Sequence, residues 1–301
     1  MKKEIYHYPT IYLFSLVGIS ILGIILGSFF DLNISKTIVN TSSNFGKFIE
    51  SFGLSLSFIP VSLAGVLFLK GLFPLKKIGF EILGVFLFLL CIGLGIYFAG
   101  DYLTTNYDYG ISFNTGISYL IGTCIILAFT ALFYFLIKSD NYKGLIISGC
   151  IIVFVMLVQF GLIEFLKNLN SRPRYRYLID SSLNTTNESF LPWWNFTPFT
   201  AKNDYHKSWP SGHTATAGVM LTLPLMTPFL RKQNRFNKVI LTSIGTIFAL
   251  IVAFARIYCG AHFLSDVSFG FLFISLILTL ALFIASKVDK RIESKQTSTN
   301  I

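Results

Sequence analysis

Apolar residues along this chain gather into unbroken runs near twenty residues long, with the polar residues confined to the stretches between them. Runs of that length match the roughly 30 Å hydrocarbon core of a bilayer. Eight can be marked, at about 11–30, 57–73, 79–99, 115–137, 144–166, 211–230, 239–258 and 261–286. Each predicts a helix, because backbone groups in lipid must be satisfied within their own segment. The second run is short and carries Pro60, and beyond the last run the residues 287–301 form a polar tail. A soluble protein with a large core would show polar faces on these helices, and the runs show none. The expected fold is therefore all-α, a polytopic transmembrane helix bundle built as a single domain over 1–301.

Composition agrees with that pattern. Of 301 residues, 53% are hydrophobic and 13% charged, 32 are Phe, and the mean hydropathy is +0.68, far from the mix of a soluble domain. The run after MKKEIYHYPT is too long for a signal peptide and lacks a small-residue cleavage site, so it reads as a retained first helix; His7 reads as a solvated tail residue. Cys91, Cys124, Cys150 and Cys259 lie in or beside apolar segments without metal-type spacing, and read as small apolar residues.

The formal charge of +10 changes the picture only through its placement. Basic residues sit between apolar runs and not along one amphipathic face, which excludes a nucleic-acid surface and fits membrane topology. With the N-terminus inside, Lys2, Lys3, Lys70, Lys76, Lys77, Lys138, Lys143, Arg231, Lys232, Arg235, Lys238, Lys287, Lys290, Arg291 and Lys295 face the cytoplasm, fifteen of the 24 Lys and Arg. Both termini are expected to be cytoplasmic, in what is expected to be a bacterial inner membrane. Three connections then face outward. Residues 31–56 space Ile34, Ile38, Phe45, Phe48 and Phe52 as a helix lying along the interface would. Residues 100–114 hold no Lys or Arg. The third, 167–210, is long and aromatic, and its Trp193 and Trp194 suit the headgroup level.

Ionisable residues at membrane depth suggest function, and three places concentrate them. In KNLNSRPRY, Lys167 ends a helix and Arg174 follows. In WPSGH, residues 209–213, Pro210 suits a first helical turn, Gly212 lets a ligand approach the backbone, and His213 is presented there. In ARIYCGAHFLSD, Arg256 precedes His262, and Asp266, four residues after His262, shares its helical face. Two histidines, a carboxylate and three cations at outward-facing helix ends would form a pocket for a tetrahedral anion. Cations and backbone donors would neutralise its oxygens, one His would attack phosphorus, and the other would protonate the departing oxygen.

These three strings resemble the signature of the type 2 phosphatidic acid phosphatase superfamily, K-x6-R-P, P-S-G-H and S-R-x5-H-x3-D. Here they read Lys167-x6-Arg174, Pro210-Ser211-Gly212-His213 and Arg256-x5-His262-x3-Asp266, in the family's order and spacing. Tyr175 stands where the family has Pro and Ala255 where it has Ser; Arg172-Pro173 stiffen the chain before Arg174, and Ala255 removes at most a hydroxyl contact. The resemblance implies that Lys167, Arg174 and Arg256 bind phosphate oxygens, helped by Ser211 and Gly212. It implies His213 as general acid, His262 as nucleophile and Asp266 as its orienting partner, with no metal or cofactor. It further implies a six-helix core, motif-bearing over about 144–286, so that two of the eight segments, most simply those within 79–137, are an added hairpin.

The expected activity is that of a lipid phosphatase or pyrophosphatase working at the outer face through a phosphohistidine. Candidate substrates are an isoprenyl pyrophosphate, phosphatidic acid, phosphatidylglycerol phosphate or a lipid A phosphate; the motifs read the phosphate and not the tail. The expected partners are that lipid and the surrounding membrane lipid, with no nucleic acid and no protein partner inferred. A membrane-bound phosphatase of a soluble ester is the alternative within the family. A transporter is disfavoured because the charges cluster at helix ends and the halves do not repeat. Glu164 can pair with Lys167, and His206 and Lys207 can line the entrance.

Overall fold

The structure, a computed structural model, describes residues 10–104, 111–196, 204–231 and 234–299, with side chains from 11 to 288 of these. His7, Lys2, Lys3, Lys202 and Lys232 lie outside the described residues. The side chains of Lys290, Arg291 and Lys295 lie outside them too.

Helices replace each of the eight apolar runs, and among the described residues there is no strand. They are α1 (Thr10–Ile38), α2 (Asn44–Leu75), α3 (Ile78–Thr104), α4 (Thr115–Leu136), α5 (Tyr142–Lys167), α6 (Gly212–Ala217), α7 (Arg235–Tyr258) and α8 (Leu264–Thr299). Seven of them are long and apolar enough to cross a bilayer, and the protein is an integral membrane protein. The eighth, α6, is a short α-turn that tightens into a 3-10 helix over Gly218–Phe229. Pro224 and Pro228 explain the change: neither can donate an α-helical hydrogen bond, so the segment takes the tighter winding.

Burial orders the bundle. In α2, 78% of the most apolar stretch is enclosed, against 17% in α1 and 22% in α4 and α7. Thus α2 is the central post, with Phe58, Leu63, Ala64, Val66 and Leu67 inaccessible. The outer helices turn Ile11, Phe29, Ile78 and Phe135 outward, as lipid contact requires. Helices α3 and α4 pack on each other and on α2.

Two expectations are corrected. Residues 31–56 do not form an interfacial helix: 31–38 finish α1 and 44–56 open α2, with Glu50, Ser51 and Gly53 buried. A carboxylate drawn between two buried arginines holds this stretch inside the bundle, as described below. The polar stretch from residue 287 is not a separate tail in structure, since α8 runs on to Thr299.

Close contact between α1 and α8 fixes one end of the bundle. A Cβ placed on Gly27 would lie 2.6 Å from the Ser265 backbone N, so only glycine lets α1 reach the first turn of α8. One turn further on, Asp31 Oδ1 accepts from that same Ser265 N–H at 2.9 Å and caps α8 from a neighbouring helix. Replacing Gly27 by Ala should force the helices apart and cost about 1–3 kcal/mol, the usual penalty of overpacking. Thermal unfolding of the detergent-purified variant checks this, and an unchanged midpoint would mean that the α1–α8 contact is not tight.

Candidate active site

The sites expected from sequence meet at one end of the bundle. There a cavity of about 230 Å³ is lined by Lys167 from the end of α5, Arg174, Asp204 and Lys207 from the following connection, Gly212 and His213 from α6, and His262 before α8. Its lining also holds Leu54 of α2, Tyr102 of α3, and Gln159, Phe160, Ile163 and Glu164 of α5. The ring centroids of His213 and His262 are 6.4 Å apart, and Tyr102 stands edge-on to His213 at 6.5 Å. Separation of that order leaves room for one tetrahedral group between the imidazoles.

His262 is held in one tautomer. Its Nδ1 lies 2.6 Å from the backbone carbonyl of Ser208. A carbonyl can only accept, so the proton sits on Nδ1, and Nε2 keeps its lone pair. Gly260 makes this placement possible: its φ of +69° turns the chain between α7 and α8, and its carbonyl accepts from the Arg176 N–H at 2.8 Å. The His262 ring is buried. Burial pushes its pKa well below 6.5, and the charges of Arg256, Arg174 and Lys167 push it the same way, so the ring is neutral at pH 7.

Asp266 does not hold His262 directly, contrary to the sequence expectation. Its Oδ2 is 3.9 Å from Nδ1, beyond hydrogen-bond reach. Instead Oδ2 accepts from the Ser208 hydroxyl at 2.5 Å and the Phe263 N–H at 2.8 Å, while Oδ1 accepts from Arg172 Nη1 at 2.5 Å. The carboxylate fixes Ser208, and Ser208 fixes the ring.

Arg172, noted in the sequence only for stiffening the chain, is the centre of this arrangement. It is inaccessible, donates to Asp31 Oδ2 at 2.9 Å, to Ser265 Oγ at 2.9 Å and to the Leu191 carbonyl at 2.8 Å, and packs over the Phe263 ring at 4.2 Å. The signal that could have found its partner is Asp31, an acid close to a transmembrane run. Glu50 gave the same signal: its Oε1 is 2.8 Å from Arg256 Nη1, and its Oε2 is 3.2 Å from Arg176 Nη1.

The remaining expected residues divide. Arg174 is buried and pairs with Asp204 at 2.8 Å. Burial pushes the Asp204 carboxyl up, but the charges of Arg174, Lys167 and Lys207 together outweigh it and hold the group below the usual carboxylate range. Lys167 pairs with Glu164 at 3.4 Å. Ser211 turns away from the cavity: its hydroxyl sits 3.0 Å from Thr214 Oγ1 and caps α6. Arg256 lies behind the cavity wall, wholly buried. Lys207 lines the cavity, whereas His206 pairs with Glu188 at 2.8 Å. Trp193 donates to Ser28 Oγ at 2.9 Å and packs edge-on to Phe269, while Trp194 remains exposed. Tyr175, the departure from the family's Pro, packs edge-on to Phe263.

Residues 148–290 match the sequence model of the PAP2 superfamily, a segment that carries all three motifs. Comparison with curated proteins and with solved structures gave no match. The segment 148–290, which supplies His213, His262 and most of the cations at the cavity, is thus similar to the PAP2 superfamily, and that similarity supports a phosphatase activity in this integral membrane protein.

Proposed function

We propose that this protein hydrolyses a lipid phosphate or diphosphate at the outer face of the membrane through a phosphohistidine on His262. The observation that carries the reading is the mixed lining of the cavity, where cations and imidazoles stand beside an apolar stretch of wall made by Leu54, Tyr102, Phe160 and Ile163. Such a wall suits the hydrocarbon next to a phosphate, and the cavity lies at the end of helices whose outer surfaces are apolar.

In this reading Lys167, Arg174 and Arg256 neutralise the equatorial oxygens, with the Gly212 backbone beside them. Arg174 exchanges the Asp204 carboxylate for phosphate. Nε2 of His262 attacks phosphorus in line, the bond from phosphorus to the leaving oxygen breaks, and His213 gives that oxygen its proton. Water then attacks the phosphohistidine, passing a proton to His213, and orthophosphate and neutral His262 are restored. Asp266 acts through Ser208 by holding the ring, and Ser211 acts by shaping the turn at Gly212.

Phosphate release by the purified chain, measured against lipid and soluble phosphates, tests the reading as a whole. A preference for soluble esters would replace the lipid substrate with the family's other class. His262→Ala should abolish turnover and the acid-labile phosphoenzyme on every substrate. His213→Ala should lose about 10²–10⁴-fold on an alkyl phosphate, the usual range for a general acid, yet recover part of it on an aryl phosphate whose leaving group needs little protonation. Normal turnover in His262→Ala would remove it as nucleophile.

The pH dependence has a definite sign. A histidine with a depressed pKa loses its neutral form only as pH falls through that lowered value, so the nucleophile's acid limb lies below 6.5. Arg174→Gln removes one of the charges responsible and should move the limb of kcat/KM upward, toward 6.5. Comparing both enzymes on one substrate cancels the titration of the phosphate itself. An unmoved limb would separate the acid limb from His262.

Orientation rests on the basic-residue bias, fifteen inside against nine outside. In a chain with its four native cysteines replaced, Ser189→Cys in the 167–210 connection should react with a membrane-impermeant maleimide on intact cells. Labelling only after the membrane is opened would invert the topology.

A further inference from the structure

Glu50 lies outside the matched segment and in none of the three motifs, yet it is the carboxylate that faces Arg256. Its position follows from helix register. Gly46, Glu50 and Gly53 follow one another at i, i+4 and i+7, one face of the opening of α2. Across from them are Val252, Arg256 and Cys259 at the end of α7, with the same spacing. A Cβ on Gly46 would lie 3.0 Å from Cys259 Cβ, and one on Gly53 would lie 3.1 Å from Val252 Cγ2. The two glycines therefore bring the helices together at both ends of the contact, running in opposite directions, and the residue between them on α2 meets the residue between them on α7. A π-helical turn over Ile49–Gly53 marks the place.

The carboxylate is 1% exposed. Its Oε1 is 2.8 Å from Arg256 Nη1, and Arg176 approaches both its oxygens at 3.2–3.3 Å. An arginine side chain has several rotatable bonds and no preferred direction of its own, and a buried anion at fixed distance removes that freedom. We propose that Glu50 is a positioning residue for the reaction: it aims the Arg256 guanidinium at the phosphate, so that the N-terminal half of the chain completes the site carried by the C-terminal half. The proposal rests on the phosphatase reading above.

The test is a double-mutant cycle on the full chain in detergent, assayed with an aryl phosphate. Glu50→Gln should lower kcat by about 10–100-fold, the scale of a misplaced group near the chemistry. In an Arg256→Lys background the same change should cost less than about twofold, because a residue acting through Arg256 has nothing left to lose. Vanadate inhibition, which reports the grip on a trigonal-bipyramidal phosphorus, should weaken in Glu50→Gln; a residue needed only for folding would leave it unchanged in the folded enzyme that remains.

Removing one member of a buried ion cluster can prevent folding, so Glu50→Gln/Arg176→Gln is made alongside. This pair removes one charge of each sign, and should fold better than the single variant without regaining turnover. Native turnover in the pair, or independent multiplicative losses in the cycle, would reduce Glu50 to a counter-charge for Arg176 and overturn the proposal. Absence of turnover by the unaltered chain would instead overturn the phosphatase reading, and this inference with it.

Discussion

Neutralising buried cations is the constraint on which the rest of this structure depends. Arg172, Arg174, Arg176 and Arg256 are all buried at one end of the bundle, and each faces a carboxylate: Asp31 and Asp266, Asp204, or Glu50. Bare guanidinium groups at that depth would be costly enough to unfold the protein, since a buried ion is tolerated only when paired and hydrogen-bonded. A site that must attract a phosphate needs surplus positive charge, while a fold in lipid needs almost none. The structure meets both demands by dividing the arginines. Arg172 is saturated with acceptors and serves the frame. Arg174 is paired with a half-exposed carboxylate, Asp204, that an incoming anion can displace.

The same division explains what holds His262. A carboxylate in direct contact would add negative charge beside the imidazole, and would draw its proton inward. With Asp266 occupied by Arg172 and by the Ser208 hydroxyl, the ring Nδ1 is held by a neutral carbonyl. Orientation is thereby separated from charge: the imidazole is aimed by a dipole while burial, and then the cations around it, keep it unprotonated.

Much of this was legible in the residues. Eight apolar runs became eight helices because lipid leaves the backbone no other choice, and the motif spacings brought Lys167, Arg174, His213 and His262 to one cavity. What escaped the reading was carried by residues whose meaning depends on distant partners. Asp31 and Glu50 looked like members of an outer loop, since nothing local distinguishes an acid at an interface from one paired inside a bundle. Pairing Asp266 with His262 from a four-residue spacing assumed a helix that begins only at Leu264, and Ser208, fifty-four residues away from His262, reaches the ring first. The 3-10 winding of 218–229 was announced by Pro224 and Pro228, but apolar content alone does not separate it from an α-helix.

The separation in sequence between the paired charges has a consequence for biogenesis. Glu50 and Arg176 are 126 positions apart, and Asp31 and Arg172 are 141 apart. During synthesis α1 and the opening of α2 emerge long before any arginine that can neutralise them. Until then both carboxylates must stay at the headgroup level or take up a proton, since an ionised acid without a partner is unstable in hydrocarbon. With their acids ionised, the first two helices can settle to full depth only after residues 172–176 have been made, and the last turn of α7 must arrive before Glu50 is fully satisfied. Insertion of the N-terminal helices and assembly of the catalytic end are one event, completed from the C-terminal side.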